Sequence, residues 1–106
     1  MIKVGLLVRI EAKPGKETAV ENFIQGALPL AQEEPDTITW YAFKINASTF
    51  GIFDTFPHEE GRSAHLTSKI AEALMANAPE LLAKPPVIEQ IDVLASKLPQ
   101  TKYVEN

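Results

Sequence analysis

Cysteine is absent from the 106 residues. Disulfides, thiolate nucleophiles, zinc–thiolate sites and iron–sulfur clusters are thereby excluded. Positive charge is also scarce: ten Lys and Arg stand against fourteen Asp and Glu, a net charge of −4. With no basic cluster to neutralise phosphates, nucleic acid is not an expected partner. No apolar run is long enough to span a membrane, and the few apolar residues before Arg9 are too short for a signal peptide. A soluble, cytoplasmic protein is therefore expected. There is no Gly-rich phosphate loop, no nucleophile elbow, and no flavin or nicotinamide fingerprint. What remains, 45% hydrophobic and 23% charged, is ordinary for one folded domain. A chain of this length buries roughly two-thirds of its unfolded surface, enough for a core without staples.

Residues 2–12 alternate, with Ile2, Val4, Leu6, Val8 and Ile10 on one side, which is the pattern of a strand with one apolar face. Lys13-Pro14-Gly15 stops it. Val20, Phe23, Ile24, Ala27, Leu28 and Ala31 then follow helical spacing across residues 16–34, with a kink or break expected at Pro29. Residues 37–46 and 49–56 form a β-hairpin by their β-branched and aromatic content. Pro57 suits the first position of a second helix, which runs to about residue 83, bends near Thr67-Ser68 and breaks at Pro79. Residues 87–97 are the last strand. The order β-α-β-β-α-β predicts a ferredoxin-like α+β fold, a four-stranded antiparallel sheet with both helices on one face. Residues 1–98 make the domain and 99–106 a C-terminal tail.

Three features bear on chemistry. His65 has only small neighbours on its helix face, Gly61, Ala64 and Ser68, which leaves space for a ligand or else lets helix and sheet pack closely. In the second case the imidazole would bond a backbone carbonyl. Asp54, between Phe53 and Phe56, is either a catalytic carboxylate or a partner for Arg9 or Lys44. Trp40, Tyr41, Phe43, Phe50, Phe53 and Phe56 crowd into the hairpin, as core, as interface or as the lining of a pocket for a flat substrate. A metal site is not expected, because seven helical residues separate His58 and His65 by about 10.5 Å along the axis.

The chain resembles the antibiotic biosynthesis monooxygenase family over roughly residues 3–96. The likeness rests on VRIEAKPGKETAVENF, on EEPDTITWYAF, with Tyr41 at the family's tyrosine, and on GIFDTFPHEEGRSAHLTS. Asp36 stands where the family has Gly, Phe56 where it prefers Trp, and Gly61-Arg62 replaces a more hydrophobic pair. Val8, His65 and Met75 occupy the places where haem-degrading relatives carry Asn, Trp and His, so haem is not expected. The resemblance implies the dimeric α/β-barrel form of the fold, hence a homodimer, with no cofactor. It implies an oxygenase acting on a small flat phenolic or quinol-like molecule, with His65 and Asp54 as catalytic candidates. Trp40, Tyr41, Phe43, Phe53 and Arg62 are the substrate-binding candidates, with Arg62 one turn before His65 and able to stabilise a phenolate. The alternative is a non-catalytic, ligand-binding or stress-related dimer on the same fold.

Overall fold

The alternation of residues 2–12 becomes strand β1, Val4–Glu11, in the middle of a four-stranded sheet. The structure, a computed structural model, describes residues 1–99. The strands β2 (Thr39–Lys44), β3 (Thr49–Phe56) and β4 (Val87–Asp92) complete the sheet in the order β2-β3-β1-β4, every pair antiparallel. That is the ferredoxin-like arrangement. The turn after β1 uses Gly15 at φ +86°, a left-handed conformation that suits glycine.

The first helical stretch divides at Ala27 into α1 (Glu17–Gly26) and α2 (Leu28–Gln32). Pro29 lies in the first turn of α2, where its missing N–H has no helical acceptor to lose. The second stretch divides at Thr67-Ser68 into α3 (Glu59–Leu66) and α4 (Lys69–Leu81). Two helix boundaries differ from expectation. Pro57 precedes α3, and His58 caps it by accepting a hydrogen bond at Nδ1 from the Gly61 N–H, 3.2 Å away. Pro79 does not break α4, because it costs one bond near the helix end while Ala78 and Leu82 are buried in the core.

The last strand ends at Asp92 rather than residue 97. Its ladder with β1 pairs Val4 with Asp92, and one further bond, from the Val93 N–H to the Lys3 carbonyl, closes it. Residues 93–99 continue without strand or helix, and Leu94 is 95% exposed. Tyr103 and Val104, expected as anchors of the tail, lie outside the described residues.

The helices cover one sheet face. Val8, Ile10, Phe50 and Ile52 pack there with Val20 and Ile24 of α1 and Leu74 and Ala78 of α4. Strand register puts Asp54 and Trp40 opposite each other on this same face. The other face carries Leu7, Tyr41, Phe43, Phe53, Val87 and Ile91. Phe43 lies across Gly51, where a Cβ would come within 2.4 Å of the ring. Among the described residues no helix is long and apolar enough to cross a membrane.

Candidate functional site

Three elements converge on one imidazole. Glu34 follows the end of α2, Asp54 belongs to β3, and His65 occupies the last turn of α3. A helix C-terminus favours positive charge, so this is a good place for a protonated ring. His65 Nδ1 is 2.5 Å from Glu34 Oε1, and Nε2 is 2.9 Å from Asp54 Oδ2. The Glu34 contact is a well-formed hydrogen bond, and the Thr37 hydroxyl donates to the same oxygen at 2.7 Å. The Asp54 contact is a close ion pair with poor hydrogen-bond alignment. Asp54 is wholly buried, and neither of its oxygens has an aligned donor.

Burial alone would lower the pKa of His65, because a low-dielectric surrounding disfavours the charged ring. The contacts with Asp54 and then Glu34 outweigh that cost and raise the pKa above its ordinary 6.5. The Phe56 ring, 5.3 Å away by centroids and tilted at 45°, closes one side of the imidazole. His65 therefore faces carboxylates on both edges, hydrogen-bonded to Glu34 and ion-paired with Asp54, instead of bonding a backbone carbonyl. Asp54 pairs with His65 rather than with Arg9 or Lys44.

The imidazole borders two spaces. An apolar cavity of about 40 Å³ lies between the helices and the sheet, with Leu6, Ile52 and Ile70 in its wall. A more polar cleft of about 110 Å³ lies outside, bordered by Glu34, Asp36, Gly61, Ala64 and Ser68. The small residues flanking His65 thus open the outer cleft.

The five expected substrate contacts are not brought together. Trp40 lines the apolar cavity, with its indole Nε1 buried and unpartnered. Tyr41, Phe43 and Phe53 point to the opposite sheet face, because adjacent strand residues alternate sides. Arg62 is only 7% exposed and its guanidinium is engaged. Nη1 donates to the Gly5 and Ile91 carbonyls at 3.2 and 3.0 Å, and Nη2 pairs with Glu59. The same pairing holds the Glu59 carboxyl below its usual pKa. A guanidinium so occupied ties α3 to β1 and β4 and has little left for a phenolate.

Sequence reasoning missed Glu34. It stood only as the end of a helix, although it is the Glu of the Glu-Pro segment that carried part of the family resemblance. No group of three His, Cys, Asp or Glu among the described residues is arranged to hold a metal ion.

No protein-family model matches the chain, and no curated protein does. Solved structures do. A protein of unknown function from Nitrosomonas europaea is 54% identical, with a TM-score of 0.92 over 95% of this chain and 98% of that one. A second Nitrosomonas europaea protein, provisionally named an antibiotic biosynthesis monooxygenase, is 13% identical with a TM-score of 0.77, covering 87% and 99% of the two chains. A Caulobacter crescentus protein with the same provisional name is 17% identical with a TM-score of 0.74, covering 89% and 92%.

Proposed function

Because the chain belongs to the same family as the Nitrosomonas europaea protein of unknown function and has the fold of the antibiotic biosynthesis monooxygenases, we propose that it is a small oxygenase. Its substrate is a flat phenolic or quinol-like molecule. The reaction converts a phenol to a quinone, with one atom of dioxygen entering the ring and the other leaving as water. The substrate supplies the electrons, so neither metal nor flavin takes part.

The observation that carries this reading is the Glu34–His65–Asp54 chain, which runs from the outer cleft to a wholly buried carboxylate. A phenol must lose its proton before it can give up an electron readily, and a carboxylate and an imidazole at the edge of the cleft are the groups able to take it. Both ring nitrogens of His65 are already engaged. The proton acceptor is then Glu34, which borders the cleft, while His65 holds Glu34 in place. Asp54 balances the charge of the ring from below. Trp40 shares the inner apolar cavity with His65 and stands behind the imidazole rather than in the outer cleft. Tyr41, Phe43 and Phe53 belong to a homodimer interface on the opposite sheet face.

One observation favours the alternative, a binding module without turnover. The apolar cavity is far smaller than the roughly 300 Å³ and above of a ligand pocket, so a ring must sit mainly in the outer cleft. The experiment that separates the readings is oxygen uptake with a panel of naphthols, quinols and anthrone-like phenols, followed by mass analysis of products. Turnover by the wild type, cut by about 10²-fold in Glu34→Gln and His65→Ala with the fold retained, supports the oxygenase. Saturable binding of such compounds without oxygen uptake moves the protein to the binding class.

A further inference from the structure

Glu34 lies in the loop between α2 and β2, where no helix or strand fixes its side chain. Two donors do so instead. His65 Nδ1 stands 2.5 Å from Glu34 Oε1, and the Thr37 hydroxyl donates to the same oxygen at 2.7 Å. A carboxylate oxygen accepts along two lone-pair directions, which lie near the plane of the group. One bond is a pivot about which the carboxylate can swing. Two bonds on one oxygen, from separate elements, set the plane as well. Among the described residues no donor reaches the other oxygen, Oε2. Thr37 is itself well held: its N–H bonds the Glu34 carbonyl at 3.4 Å, and the Ile38 N–H bonds the Thr55 carbonyl of β3 at 2.9 Å. A β-branched side chain has few rotamers, so a hydroxyl on that backbone is aimed with little freedom.

We propose that Thr37 is a positioning residue for Glu34: its hydroxyl, together with the imidazole, fixes the carboxylate plane and leaves Oε2 as the atom that takes the substrate's proton. The proposal rests on the oxygenase reading above and goes beyond it by assigning Thr37 a part. In the step concerned the phenol O–H bond breaks, its electron pair stays on the phenolate oxygen, and the proton bonds Oε2. Proton transfer needs the acceptor atom within hydrogen-bond reach and correctly aimed, which a swinging carboxylate provides only part of the time. Thr37 borders the outer cleft beside Glu34, so it acts where the substrate is expected without having to touch it.

The test compares Thr37→Val, which loses the hydroxyl and keeps the branched shape, with Thr37→Ser, which keeps the hydroxyl. Thr37→Ala serves if the valine variant does not fold. The readout that needs no turnover is solvent exchange of the His65 Nδ1 proton, measured by NMR of the full chain at about pH 6, where the ring is protonated. A carboxylate free to swing uncovers that proton more often. Exchange should therefore be several-fold faster in Thr37→Val and return to the wild-type rate in Thr37→Ser. An unchanged rate in the folded valine variant, a serine variant as fast as valine, or no protected Nδ1 proton in the wild type overturns the proposal. Where the wild type takes up oxygen with a phenol, Thr37→Val should lower kcat several-fold at unchanged KM, and Thr37→Ser should restore it. A raised KM with kcat intact would make Thr37 a substrate contact and overturn the positioning role. The failure of the oxygenase reading has a different signature. Absence of oxygen uptake with every phenol removes that reading, whereas the exchange rates still decide whether Thr37 holds Glu34.

Discussion

His65 Nε2 lies 2.9 Å from Oδ2 of Asp54, a carboxylate with no solvent exposure and no aligned hydrogen-bond donor. A buried charge of this kind is tolerated only beside an opposite charge, so the state of the ring and the stability of the domain are linked. Burial opposes protonation of the ring, Asp54 and Glu34 favour it, and the favouring side wins.

Stability should therefore fall as the solution turns alkaline. The pKa of His65 is higher in the folded chain than its value of about 6.5 in the unfolded chain, so folding takes up a proton. The stabilisation is complete below about pH 6.5 and is lost as the pH rises through the folded value. Urea midpoints measured from pH 6 to pH 9 should decline, and His65→Gln should flatten the decline. A wild-type midpoint that stays level over that range contradicts the pairing.

Asp54→Ala removes one partner and leaves the ring bonded to Glu34 alone. Because His65 can release its proton, the loss should be about 1–3 kcal/mol rather than the larger cost of stranding a permanent charge. The NMR-detected titration of His65 should move downward in the same variant. No change in that titration would mean that the 2.9 Å contact carries little electrostatic weight.

Arg62→Met tests whether the guanidinium is a strut or a substrate contact. Hydrogen bonds from a charged group to the buried Gly5 carbonyl and the part-buried Ile91 carbonyl contribute about 1.5–3 kcal/mol, so thermal and urea stability should drop by that order. Affinity of the folded fraction for a phenol should stay within experimental error. A stable variant with lost phenol binding would restore Arg62 to the site.

Leu7, Tyr41, Phe43 and Phe53 share a sheet face that no helix among the described residues covers. Such faces on soluble domains are ordinarily covered by a partner, and a two-fold dimer is the simplest cover. Sedimentation should show a dimer at micromolar concentration and a monomer for Phe53→Glu. Removal of residues after Pro99 should weaken the dimer if the tail reaches the partner; unchanged dimer stability would mark it as a frayed end.

Much of the fold was written in local pattern. Period-two alternation identified the strands and their faces, Pro29 divided the first helical stretch, and the order of elements sufficed for the ferredoxin-like plan. The same alternation separates Trp40 from Tyr41 and Phe43, so their grouping in one pocket conflicted with a rule already legible in the sequence. Pro79 misled because a proline near a helix end costs little when its neighbours are buried in the core.

The sequence by itself determined which side chains were available for chemistry, His65 and Asp54 foremost, and which were excluded by the absence of cysteine. Only the tertiary structure decided their partners. Glu34 precedes His65 by 31 residues, and they meet because the loop after α2 folds against α3. Arg62 stands one turn from His65 in sequence, yet its reach to the Gly5 and Ile91 carbonyls depends on how α3 crosses the ends of β1 and β4. Spacing along one element fixes direction within that element, whereas ion pairs between elements depend on packing that no short stretch of sequence encodes.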